Sequence, residues 1–173
     1  MISERISYRL SILSLMIIVL QCVGCKTNTS INKHTIDLKE LEKKQNSKIS
    51  DDELFRKALA NPELNKLILQ EREYRLSTAL RLPSNFTLEG NGATIIFSGT
   101  DRSSLIGVEG ITNVNIHDVT VTTNSPLNEV RSALSVDKSQ NILIQDLKVI
   151  NTNLSGISIK DATDVTIRGS LFT

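Results

Sequence analysis

Glu109, Asp137 and Lys160 occupy the same position in three copies of a repeated segment, and Gly107, Ser135 and Ser158 precede them by two residues. If those segments are strands stacked in register, each set forms an outward column with neighbours roughly 4.8 Å apart. Asp137 could then pair with Lys160, and Glu109 with Asp137 if a cation bridged them. A crowded lysine can have its pKa lowered and act as a base, which makes Lys160 the candidate catalytic residue. Glu109 and Asp137 could be oxygen ligands, but two carboxylates fall well short of the about six to eight oxygens that Ca²⁺ takes. The ordinary reading of the stripe is a set of solvated side chains, two of them salt-bridged and worth little. The sequence favours that ordinary reading.

Other chemistry-bearing residues are scattered. The longest connection between repeats, 122–132, holds Asn124, Asn128, Glu129 and Arg131. Loops on a rigid scaffold often carry binding, so Asn128 and Arg131 join Glu109, Asp137 and Lys160 as candidate substrate-binding residues. The loop has no aromatic residue and the chain no tryptophan, which removes a stacking platform for sugar rings. His34 and His117 have no clustered partner in sequence and are expected to be solvated. There is no phosphate loop, nucleophile–base pair or zinc spacing, and no cofactor is evident. A net charge of +1 over 173 residues gives no reason to expect nucleic acid as a partner.

The elements that must position these residues are legible in an internal repeat. Segments 105–118, 133–146 and 156–169 align without gaps, and 85–90 aligns with 113–118. Ile106, Leu134 and Ile157 fall in one column, and Val108, Val136 and Ile159 in a second. Phe86, Val114, Ile142 and Val165 form a third, and Leu88, Ile116, Ile144 and Ile167 a fourth. Apolar residues two apart face one side of a strand. Asn85, Asn113, Asn141 and Asp164 share one corner position; Gly90, Asp118, Asp146 and Gly169 share another. These residue types tolerate left-handed backbone and build turns. A third strand follows that corner at 119–121, 147–149 and 170–172. Three strands per coil predict an all-β parallel β-helix of about four coils over 67–173. An antiparallel sandwich of short strands is the alternative, but it would not require the same corner chemistry in each coil.

The N-terminal third reads differently. Ser50-Asp-Asp-Glu53 is a capping box, and Leu54, Phe55, Ala58 and Leu59 lie on one helical face, so 50–66 is a capping helix with a lead-in. Arg5 and Arg9 precede a run of about 11 apolar positions, 10–20, a secretory signal pattern too short to span the roughly 30 Å hydrocarbon core. Gly24-Cys25 resembles the bacterial lipobox, whose cysteine is lipidated and becomes the mature N-terminus, although Cys22 stands where that motif usually carries leucine. The division is therefore a signal peptide at 1–24, lipidation at Cys25, and a polar tether at 25–49 with a short helix over 36–45 as the competing reading. Cys22-Val-Gly-Cys25 as a redox or zinc pair lacks a second ligand pair; simple secretion and a retained anchor stay open.

From about residue 51 onward the chain resembles the pectin-lyase-like superfamily of right-handed parallel β-helices. The entry segment Leu82-Pro-Ser-Asn-Phe-Thr-Leu-Glu-Gly-Asn-Gly92 and the preceding capping helix carry the resemblance with the repeats. It implies a protein that binds or degrades polysaccharide, by lyase or glycosidase chemistry, and the signal pattern and lipobox resemblance add that it is an exported, membrane-anchored lipoprotein of the bacterial envelope (periplasm or cell surface). In lyases of the superfamily a Lys or Arg base acts on acidic sugars, often with Ca²⁺ held by carboxylates, so Ca²⁺ belongs to the expectation for a parent protein. Asn151-Thr-Asn153 begins like the hydrolase aspartate segment but lacks the aspartate. The last coil carries no cap, so the chain is expected to be the front of a longer protein and inactive by itself. The rival class is a noncatalytic surface β-helix, an adhesin or an envelope structural protein. Oligomeric state is left open.

Overall fold

Alternation of buried and outward residues along each repeat gives strands, and the left-handed residues between them turn the chain. The structure, a computed structural model, describes residues 34–45, 49–99, 104–124, 132–150 and 155–173. In chain order the elements are β1 (Thr35–Asp37), α1 (Leu38–Lys44), α2 (Asp51–Leu59), β2 (Lys66–Ile68), β3 (Glu73–Leu76), β4 (Leu80–Arg81) and β5 (Phe86–Phe97). Then follow β6 (Ile106–Glu109), β7 (Thr112–Thr123), β8 (Ser132–Asp137), β9 (Gln140–Val149), β10 (Ser155–Lys160), β11 (Thr163–Arg168) and β12 (Leu171–Phe172).

All strand pairs are parallel, in two sheets. The larger runs β1-β2-β5-β7-β9-β11, with β3 on β5 and β12 on β9; the smaller runs β10-β8-β6-β4. The chain alternates between them, which makes a parallel β-solenoid. From β4 to β10 it advances about three turns, where the repeat suggests about four coils. The difference lies in counting rungs rather than the steps between them.

The inward columns stack as the repeat predicts. Ile106 faces Leu134, and Leu134 faces Ile157. Phe86, Val114, Ile142 and Val165 are successive partners, as are Leu88, Ile116, Ile144 and Ile167. Most are fully buried, and Ile159 and Ile167 on the last rung are partly exposed. Side chains two apart on a parallel strand must all enter the same interior, so the core is one continuous column.

The corners explain the polar columns. Asn85, Asn113, Asn141 and Asp164 all have left-handed φ, between 53° and 58°. Their side chains form a ladder: Asn113 Nδ2 donates to Asn85 Oδ1 (2.8 Å), and Asn141 Nδ2 to Asn113 Oδ1 (2.7 Å). At the next corner Asp118, Asp146 and Gly169 are left-handed, but Gly90 is not. There β5 inserts two extra residues between Glu89 and Ala93, and Asn91 and Gly92 carry the positive φ instead. Gly90 serves close approach: a Cβ there would lie 2.0 Å from the Asp118 carbonyl oxygen. A third left-handed column, Gly110, Lys138 and Asp161, escapes the sequence reading because lysine is no turn signal.

Helix α2 starts where the capping box puts it, with Ser50 Oγ accepting from Glu53 N (3.3 Å). The Glu53 carboxylate bonds Arg56 at 2.6 Å and approaches Lys57 at 3.5 Å. Leu54, Phe55 and Ala58 are buried against the solenoid core. Residues 34–45, placed in the tether by the sequence, belong to the folded body. β1 pairs with β2, and Asp37 caps α1 by accepting from Lys39 N. Leu38 is 1% exposed, which identifies the apolar anchor that makes this segment dock. His34 sits just before β1 and its Nδ1 bonds the Glu63 carbonyl oxygen at 2.8 Å. No helix among the described residues is long and apolar enough to cross a membrane.

Candidate functional site

The smaller sheet carries the candidate residues on its outer face. Parallel register aligns Arg81 with Gly107, Gly107 with Ser135, and Ser135 with Ser158. It also aligns Glu109 with Asp137 and Asp137 with Lys160. The expected columns are therefore both present, and Arg81 extends the first by one rung. Arg81 escapes the sequence reading because β4 is two residues long and lies before the recognisable copies of the repeat.

Arg81 owes its position to a missing side chain. A Cβ at Gly107 would lie 2.0 Å from Arg81 Nη1, so the guanidinium crosses the space that glycine leaves open. It reaches Glu109, with Nη1 to Oε1 at 3.5 Å. Ser135 Oγ also donates toward Glu109 Oε1 at 3.5 Å. Both are at the long limit of a hydrogen bond. Asp137 is half-buried, and its Oδ1 is shielded from solvent without a hydrogen-bond partner. Lys160 is exposed. Asp137 and Lys160 are in register but form no ion pair among the described residues. Ser139, just beyond Asp137, is buried and donates to the carbonyls of Val108 (3.0 Å) and Asp137 (2.8 Å). It fixes the corner below the acidic pair.

No family model and no curated protein matches this chain. The chemistry of the face must accordingly be read from its own residues. A Ca²⁺ centre does not fit them. Glu109 and Asp137 with the Ser135 hydroxyl are well short of about six to eight oxygens. No group of three or more His, Cys, Asp and Glu side chains converges among the described residues. The face offers a short row of hydrogen-bonding groups, cationic at Arg81 and Lys160 and acidic between them.

The other expected residues divide in two. His117 lies on the larger sheet, in register between Glu89 and Gln145, away from the candidate face. Asn124 N donates to the Phe97 carbonyl oxygen at 2.9 Å, so it anchors the start of its loop. Asn128, Glu129, Arg131, Asn153, Cys22 and Cys25 lie outside the described residues. A cleft of about 490 Å³ opens between α2 and the turn into β4, with Phe55, Leu59, Leu76 and Leu80 among its lining and Arg56 and Arg81 contributing cations. Its Asp52 carboxylate is saturated, accepting from Ser77 N, Ser77 Oγ and Thr78 N.

Proposed function

We propose that this chain is a polysaccharide-binding β-helix of the pectin-lyase-like kind, working outside the cytoplasm from a lipid anchor at Cys25. The observation that carries the binding part is the row Arg81, Glu109, Ser135, Asp137 and Lys160 along one sheet face, in which Glu109 has only contacts of 3.5 Å and Lys160 is exposed. Polysaccharides present repeated hydroxyls on a rigid chain, and stacked rungs present repeated partners on a comparable length scale. Binding is favoured over cleavage because Lys160 is exposed and, though in register with Asp137, makes no ion pair with it among the described residues. A noncatalytic surface β-helix is the neighbouring reading, supported by the asparagine ladder and the serine column.

Affinity electrophoresis of the chain through gels containing soluble polysaccharides tests the binding reading. Retardation in at least one gel is expected, with Arg81→Ala reducing it. Free migration in every gel would sink the proposal. The anchor is tested separately by labelling cells with radioactive palmitate. Cys25→Ala is expected to abolish labelling, and continued labelling would refute the assignment.

A further inference from the structure

The apolar columns that stay buried along the solenoid come to the surface on its last rung. Among the described residues the exposed large apolar side chains are Ile159, Ile167, Leu171 and Phe172, each 40–50% exposed, and all four stand on β10, β11 or β12. Val136, Ile144 and Val149, in register with Ile159, Ile167 and Phe172, are fully buried. β10 is hydrogen-bonded on one side only, to β8, and β11 and β12 only to β9. The rung therefore joins apolar side chains to a row of unpaired backbone N–H and C=O groups, a combination that another strand edge satisfies.

The charges on β11 select which edge. A second copy turned about a twofold axis across the solenoid presents the same rung with its strands reversed, so the edges meet antiparallel. Partner residue numbers then sum to a constant, and only an even sum brings inward residues against inward residues. Centring β11 on Thr166 sets Val165 against Ile167 and Asp164 against Arg168, and symmetry makes each pair twice. Centring it on Val165 or Ile167 sets Asp164 or Arg168 against Thr166 instead. Asp-Val-Thr-Ile-Arg, residues 164–168, is thus its own electrostatic complement when reversed. Asp164 and Arg168 are both exposed and form no ion pair among the described residues. Head-to-tail stacking is blocked by α2, which packs on β3 with Leu54, Phe55 and Ala58 buried against the core.

We infer that the last rung is a self-association surface, on which a second copy of this chain docks by antiparallel β11–β11 pairing centred on Thr166 to give a closed dimer. β10 of each copy then faces β12 of the other, with Ile159 and Phe172 turned toward the shared core. The Phe172 ring lies over Gly156, where any Cβ would collide with it, so it already spans part of the opening. Opposite charges, β-branched pairs and facing threonines across antiparallel strands each strengthen the contact. The docking uses strand edges and leaves Arg81, Glu109 and Ser135 on their outer face, so it does not depend on the polysaccharide-binding reading.

The test is sedimentation equilibrium of the purified full chain over a wide range of concentration. A monomer–dimer equilibrium with no larger species is expected. Arg168→Glu and Asp164→Lys each turn both attractive pairs repulsive, and each is expected to weaken the dimer about tenfold. Lysine suits position 164 because Lys138 already holds left-handed backbone in this fold. The double variant restores opposite charges across the twofold and is expected to recover the unsubstituted affinity. Thr166→Arg sets like charges against each other at the axis without touching Asp164 or Arg168, and is expected to weaken the dimer as the single reversals do. Circular dichroism of each variant checks that the solenoid is intact. A monomer at all concentrations, or species larger than the dimer, would overturn the proposal. A dimer that the three single substitutions leave unchanged would overturn it too, as would a double variant no tighter than the single reversals.

Discussion

The asparagine ladder shows how much one atom type decides at a corner. All three asparagines in it turn the backbone, and Asn141 and Asn113 each donate a hydrogen bond to the asparagine of the rung before, which ends at Asn85. Asp164 keeps the left-handed φ but has no amide N–H to donate to Asn141; it accepts instead from Gln140 Nε2 at 3.3 Å. Asp164→Asn is therefore expected to extend the ladder and stabilise the chain by about 0.5–1 kcal/mol, read as a raised urea midpoint with an unchanged slope. Asn113→Ala removes two ladder bonds and puts a Cβ into left-handed backbone without compensation. A loss of about 2 kcal/mol is expected, and a change below the error of the same urea titration would contradict the ladder's role. The asparagines were legible in the sequence because their type and spacing coincide. Lys138 was not, since only the neighbouring strands force its φ of 50°.

At the scale of elements, α2 is tied to the solenoid by carboxylates as well as by its apolar face. Asp51 accepts from Arg72 Nη1 (3.0 Å) and Arg75 N (2.7 Å), while Asp52 satisfies Ser77 and Thr78. Arg72 also lies over the Tyr74 ring, 3.8 Å from its centroid, and Phe55 meets that ring edge-on at 5.4 Å. Burial raises the pKa of the Tyr74 phenol, whose oxygen accepts from Gln70 N. A raised folded pKa contributes stability that is complete below the ordinary value near 10 and is lost as pH rises through the raised one. The melting temperature should thus fall above about pH 10, and Tyr74→Phe should make that fall shallower. Parallel alkaline profiles for the two proteins would show that Tyr74 is not the responsible group. The amphipathic pattern and cap of α2 were visible in the sequence. Its ties to residues 72–78 were not, because they join positions more than twenty apart through side chains common on any surface.

For the whole molecule, the stacked interior makes each rung depend on its neighbours. Ile144 is fully buried, in register between Ile116 and Ile167. Ile144→Asp would bury an unpaired charge there, and a loss exceeding about 4 kcal/mol is expected. Circular dichroism should show the β signal lost or its melting transition displaced far downward. An unchanged transition would count against the register itself.

The sequence by itself determined the solenoid. Two-residue alternation repeated at a fixed offset admits one stacking that keeps every apolar column inside, and left-handed residue types mark where the chain must turn. It also determined the outward columns, which follow from the same register. The tertiary structure decided what those columns touch. Arg81 joined the face because Gly107 vacates space for its guanidinium, a fit between rungs with no local signal. Leu38 drew part of the expected tether into the fold, because burying one leucine and pairing β1 outweighed a polar composition that reads as solvated. Long contacts at Glu109 and a partnerless Asp137 oxygen likewise emerge only when three strands meet, since hydrogen-bond satisfaction belongs to neighbours in space and not to neighbours in sequence.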